Sequence, residues 1–204
     1  MTEVISVKFK NRGKVYFFDP HGIAVRTGEN VLTMECSPMR VLAEIEPIYI
    51  LGDFRLEPAA KGWNIVAPGD FAAGSWKAQG WPCYPGKVTY AREFDVAEKA
   101  PYYEVALGEW KGTVCEVLVN GRSAGIVYAE PYTVDVTEWF VAGRNRVEVK
   151  VVGSNYNLMG PLHAAHFKRI TPAFWRGVKE YPSGKDYVQQ DYGLMGDFTL
   201  AAGR

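Results

Sequence analysis

Residues 114–160 read VCEVLVNGRSAGIVYAEPYTVDVTEWFVAGRNRVEVKVVGSNYNLMG, and their pattern decides the fold. Val117 and Val119 alternate with Glu116, Leu118 and Asn120, the two-residue period of a strand with one buried face. Asn120-Gly121 comes next. Both residues accept positive φ, so a two-residue hairpin turn is expected there. In the short connection DVTEWF, the side chains of Asp135 and Thr137 are expected to bond nearby backbone N–H groups. After Gly143, the charged Arg146, Glu148 and Lys150 alternate with Val147, Val149 and Val151, which is again a half-buried strand. Strands joined by tight turns and short connections point to an antiparallel β-sandwich. Such a sandwich is expected to bind or scaffold rather than to house a reaction.

The 204 residues suffice for one sizeable sandwich plus a small appendage. Lys and Arg total 23, as do Asp and Glu, so no electrostatic footprint for nucleic acid or an anionic membrane is present. Six Trp and twelve Tyr make the chain rich in aromatic rings, which can fill a core or stack on sugars. The three cysteines, Cys36, Cys83 and Cys115, lack metal-ligand spacing and read as reduced structural thiols. No apolar run reaches membrane-spanning length, and MTEVISVKFK lacks the apolar segment of a signal peptide. The chain as given is therefore expected in the cytoplasm; a parent protein with an export signal would be secreted.

The chain reads as two segments. In the first, VISVKF and KVYFFD are strand-like and joined by a turn at Asn11-Arg12-Gly13, with a second turn at Asp19-Pro20-His21-Gly22. Residues 1–35 resemble the N-terminus of the YaaT-type stage-zero sporulation proteins, through VKFK, GKVYFFDP and the residues that follow. That resemblance implies a signalling role for this segment. The joint is expected around Cys36–Glu46, where Ser37-Pro38 interrupts the strand pattern. The boundaries are thus a small β appendage over 1–45, reading as a gene fusion or an assembly artefact, and a sandwich over 46–204.

The second segment carries IYILGDF (48–54), GWPCYPGKVTY (80–90) and AREFDV (91–96). It continues with VLVNGRSAG (117–125), YTVDVTEWFVAGRN (132–145), NYNLMGPLH (155–163) and YVQQDYGL (187–194). In order and spacing these pieces resemble the C-terminal, sugar-binding-like jelly roll of family 2-like and α-L-rhamnosidase-type glycoside hydrolases, a galactose-binding-like domain. The resemblance implies a mainly β fold, an antiparallel jelly-roll β-sandwich with catalytic carboxylates in a separate barrel. It also implies a carbohydrate, or the missing catalytic domain of a parent hydrolase, as partner.

Hydrolysis of a glycosidic bond needs two carboxyl groups flanking it, one with a raised pKa. Asp135, Glu138, Asp186 and Asp191 are the most suggestively placed acids, yet no credible catalytic pair emerges, and the catalytic set is left empty. His163 and His166 lie three apart in PLHAAHF and would share one face of a helix, but no third metal ligand is offered; rim residues are the expectation. Sandwiches of the resembled type commonly hold a structural calcium ion. No loop here has the acidic density for it, so no cofactor is expected and structural calcium is left open.

Sugar binding needs an aromatic platform with hydrogen-bonding groups beside it. The loop GSWKAQGWPCYPG (74–86) offers Trp76, Trp81 and Tyr84, stiffened by Pro82 and Pro85. Asn155 and Asn157, with Gln190, Asp191 and Tyr192, complete the candidate ligand-binding set. The competing expectation is that the same aromatic loops pack against a catalytic domain. Trp63 and Trp139 are read as packing residues. Short helices are expected near His163–Arg169 and Ala173–Val178, the second because Thr-Pro precedes an apolar turn. The function expected is a non-catalytic carbohydrate-binding or scaffolding module. The alternatives are a structural tail without a ligand, or a signalling protein acting through residues 1–35.

Overall fold

The computed structural model describes residues 3–9, 28, 30–36, 52–162 and 182–203. Two compact units divide the chain, Met1–Leu51 and Gly52–Arg204. In the first, β1 (Glu3–Phe9) and β2 (Asn30–Cys36) pair in parallel, with Glu3 opposite Asn30 and Phe9 opposite Cys36. A parallel pair cannot be closed by a tight turn and needs a crossover, so VISVKF takes NVLTMEC as its neighbour. The KVYFFD strand, both expected turns, and most of the joint at Cys36–Glu46 fall outside the described residues. So do His163, His166 and both expected helices.

The second unit is a β-sandwich. Its elements begin with β3 (Arg55–Pro58), β4 (Trp63–Val66) and β5 (Lys87–Val96). Then come β6 (Tyr102–Leu107), β7 (Trp110–Lys111), β8 (Val114–Val119), β9 (Arg122–Val127) and β10 (Thr133–Asp135). The series ends with β11 (Gly143–Val152), β12 (Gly193–Leu194) and β13 (Phe198–Gly203). One sheet runs β5-β11-β8-β9 and a second runs β10-β6-β13, every pairing antiparallel. Single 3-10 turns cover Thr137–Trp139 and Gly184–Asp186, and a longer 3-10 stretch covers Asn155–Leu162.

The alternation seen in the sequence becomes the two faces of these sheets. Cys115, Val117 and Val119 of β8 and Val147, Val149 and Val151 of β11 are all fully buried, opposite Tyr103 and Val105 of β6 and Phe198 of β13. Tyr103 stacks on Phe140 with ring centroids 4.5 Å apart. Burying a side chain of this size stabilises the fold by about 1.5–3 kcal/mol, so this layer is where most of the sandwich's stability resides. The hairpin forms as expected: Asn120 and Gly121 take φ of 52° and 78° between β8 and β9. Farther along, Val117 pairs with Gly125 and Leu118 with Ser123, which leaves Ala124 as an extra, bulged residue in β9.

The DVTEWF connection also behaves as its residues dictate. Asp135 Oδ1 accepts from the backbone N–H and the hydroxyl of Thr137 at 2.9 and 2.6 Å. The Tyr103 backbone N–H donates to Thr137 Oγ1 at 2.9 Å, fastening the turn to β6. These bonds hold Asp135 below the usual carboxylate range, chiefly through the Thr137 hydroxyl.

Candidate functional site

Three stretches far apart in sequence converge at one end of the sandwich: 74–86, 154–157 and 187–194. The backbone N–H groups of Gly74 and Trp76 donate to the carbonyls of Leu194 and Tyr192 at 2.7 and 2.8 Å. Gly193 permits this approach, because it sits at φ 136° and a Cβ there would collide with the Gly74 carbonyl. Ser75 Oγ donates to Asp191 Oδ1 at 2.6 Å, and Lys77 Nζ stands 3.4 Å from the same oxygen. The Ser75 hydroxyl, with Lys77 behind it, holds Asp191 below the usual carboxylate range against the opposing effect of burial. Asn157 grips the backbone of Gln190 twice, donating to its carbonyl at 2.9 Å and accepting from its N–H at 2.8 Å.

The eight residues expected to face a sugar therefore meet, but largely face one another. Trp76 is 1% exposed, with its indole N–H donating to Tyr90 Oη at 2.8 Å, so it is a core residue rather than a platform. Its burial follows from its place, between the 192–194 backbone and Gly153 at the end of β11. Asn157 is 2% exposed and occupied by Gln190, which withdraws it from ligand contact. Trp81 is half-buried against Phe71, ring centroids 4.8 Å apart. Tyr192 packs 6.1 Å from Trp76, and its hydroxyl lies 2.5 Å from Ser154 Oγ. Tyr84 is 40% exposed but leans on Trp76, with its hydroxyl on the Lys87 carbonyl at 3.1 Å. Asn155 and the side chain of Gln190 are exposed. The contacts among the three stretches form a buckle that fastens the end of the unit.

Beside the buckle opens a cleft of about 390 Å³, between β3, β4, the 77–80 turn and the 184–189 segment. Arg55, Trp63, Lys77, Lys185, Tyr187 and Gln189 line it, and Glu57 is the carboxylate among its described lining residues. Trp63 meets Tyr187 edge-on at 5.7 Å and 85°. Gly184 lets the chain pass against the indole, since a Cβ there would stand 2.5 Å from Trp63 Cδ2. The Trp63 N–H is buried without an acceptor among the described residues. Gln189 points away, donating to the Pro82 carbonyl at 3.2 Å, and so ties the cleft to the buckle.

Arg55 and Trp63 lie outside the expected binding set, Trp63 having been read as packing. Its edge-on contact with Tyr187 is a packing role, and the lining of the cleft adds a second one. The sequence signal that could have found the cleft is the glycines at 69, 80 and 184, each abutting the side chain of Arg55 or Trp63.

Acid–base chemistry has little to build on among the described residues. The carboxyl groups with shifted pKa values, Glu116, Asp135 and Asp191, are all shifted downward, opposite to the shift a glycosidic general acid needs. Among the described residues no cluster of three or more His, Cys, Asp or Glu is placed to hold a metal ion. Burial raises the thiol pKa of Cys83, and that of Cys115 to about 12, so both are poor nucleophiles. No described helix is long and apolar enough to cross a membrane.

No protein-family model matches the chain. In sequence it is similar to the protein named "Putative beta-glucuronidase" of Formosa agariphila, 29% identical over 105 residues, covering 44% of this chain and 9% of that protein. Among solved structures it is similar to the rhamnosidase from Novosphingobium sp. PP1Y, at 20% identity and a TM-score of 0.47, covering 78% of this chain and 16% of that one. It is also similar to the β-glucuronidase of Bifidobacterium dentium, at 16% identity and a TM-score of 0.40, covering 72% and 28%. The chain thus spans less than a third of the length of each of these glycoside hydrolases.

Proposed function

We propose that the Gly52–Arg204 unit is a non-catalytic, carbohydrate-binding accessory module of a glycoside hydrolase, and that its ligand enters the cleft beside the buckle. The observation that carries this reading is the cleft itself. It is a concavity of about 390 Å³ in which the Trp63–Tyr187 pair stands beside Arg55, Lys77 and Lys185. Pockets for small ligands typically span roughly 300–1,000 Å³ and combine apolar walls with a few directed polar groups. The sequence likeness to a protein named as a glucuronidase favours a carbohydrate-active parent. The direct sugar contacts first expected of the 74–86 loop pass to the cleft, and the loop becomes its support.

The test is titration of the whole chain with neutral and acidic oligosaccharides, followed by calorimetry and by chemical-shift mapping. Saturable binding, with shifts at Trp63 and Tyr187 and loss in Trp63→Ala, supports the reading. Hydrolysis of aryl glycosides by the chain alone would defeat the non-catalytic part. An absence of binding to every glycan at millimolar concentration would leave a scaffolding domain whose partner is a catalytic domain.

A further inference from the structure

Arg55 is one of the cations of the sandwich that make no ion pair among the described residues, together with Lys61, Lys87, Lys99, Arg122 and Lys185. Lys77 is neutralised by Asp191, Arg92 by Asp197, Arg144 by Glu93, and Lys150 by Glu116 at 2.6 Å. Arg55 makes no ion pair among the described residues, although Glu57 lies two positions on in the same strand. Its side chain is nevertheless held in place. The aliphatic stem lies on Gly80, where a Cβ would come within 2.9 Å of it, and the guanidinium lies on Gly69, where a Cβ would come within 2.7 Å. Nε donates to the Ala67 carbonyl at 3.1 Å, and the two terminal nitrogens are left without a partner among the described residues.

A guanidinium fixed through its stem and Nε, with both terminal nitrogens unspent, is prepared for a two-point bond to an oxyanion. Because the arginine is already ordered, little side-chain freedom remains to be lost on binding. Lys185, also in the lining of the cleft, adds a second positive charge. Glu57, two positions along β3 and also in the lining, opposes an anion in the cleft, so the bond to Arg55 has to outweigh it. Trp63 and Tyr187 supply the apolar wall on which the C–H face of a sugar ring rests.

We infer that the cleft takes an anionic saccharide, its carboxylate seated on Arg55 and its ring against Trp63. This inference rests on the carbohydrate-binding reading and specifies its ligand class.

The experiment compares trigalacturonate with its fully methyl-esterified form, which keeps the rings and removes the charge. Both are titrated by calorimetry into the 204-residue chain and into Arg55→Gln and Arg55→Lys. The acid is expected to bind, with the ester and Arg55→Gln each weaker by about tenfold or more, the loss expected for a charge-assisted hydrogen bond. Arg55→Lys keeps the charge but not the fork, and is expected between the two. Should Arg55→Gln fail to fold by circular dichroism, the acid–ester comparison decides alone. Equal affinity for acid and ester overturns the inference and leaves a neutral-sugar module standing. Failure of both to bind at millimolar concentration overturns the inference alone, and the wider oligosaccharide titration decides separately whether the binding reading stands.

Discussion

Asn120 Nδ2 donates to Asn145 Oδ1 across 3.0 Å, joining the tip of the β8–β9 hairpin to the start of β11. Asn145 is fully buried, and its amide also binds the Val141 N–H and the carbonyls of Val141 and Gly143. Asn120 completes the clamp by accepting from the Arg146 N–H at 2.9 Å. Replacing Asn145 with Ala strands several buried polar groups at once. We expect Asn145→Ala to lower stability by about 2–4 kcal/mol in urea denaturation. A loss below about 1 kcal/mol would show that water satisfies those groups and that the clamp is unimportant.

Trp76 and Tyr84 sit in one loop with opposite fates. Removing the buried indole in Trp76→Ala should cost about 3–5 kcal/mol, the range for a large aromatic in a core. Tyr84→Ala, at a residue 40% exposed, should cost about 1 kcal/mol. Thermal or denaturant unfolding of the two variants checks this ordering, and equal costs would contradict the burial of Trp76.

The depressed pKa of Asp191 has a defined sign. The ionised form is favoured in the folded state, so this group's contribution to stability is present above its ordinary pKa of 3.8 and lost as pH falls through the lower folded value. Asp191→Asn should therefore flatten the acid limb of the stability curve below about pH 4 while leaving the slope near pH 7 unchanged. The side chain is more than a third exposed, so the effect is damped by solvent and by salt. An acid limb identical in the variant would place the responsible carboxylate elsewhere.

Cys115 is fully buried and its thiol is pushed up to about 12. Alkylation at pH 8, read by peptide mass, should leave the Cys115 peptide unmodified in the native chain and modify it fully in denaturant. The raised pKa also means that stability falls as pH climbs from about 9 toward 12, because only the unfolded chain ionises freely in that window. Rapid native labelling of Cys115 would show that the β8 layer opens more readily than its packing implies.

The sandwich was legible where one residue pattern has one structural solution. Alternation in β8 and β11 and the Asn120-Gly121 turn could hardly be anything else. The aromatic loop was not legible, because Trp76 is equally suited to a sugar and to a core. What decides its fate is the 192–194 backbone, more than a hundred residues away, and no local pattern carries that. Asn145 was missed for a related reason: a polar residue between Arg144 and Arg146 reads as solvent-facing until its four partners are in place. The parallel pairing of β1 with β2 depends on a crossover that turn signals cannot report. Trp63 gained its place in the cleft only when the chain around Gly184 came back to meet β4.

Ser75 and Asp191, the partners at the heart of the buckle, are separated by 116 positions. Contacts of such span are slow to find, because nearly the whole unit must be in hand before they form. During synthesis, β5 through β11 can assemble as they emerge, but the indole of Trp76 has no ceiling until Tyr192 and Leu194 have left the ribosome. Until then this large apolar ring is uncovered, and any pause between Val152 and Tyr192 prolongs the interval in which a nascent chain can aggregate through it.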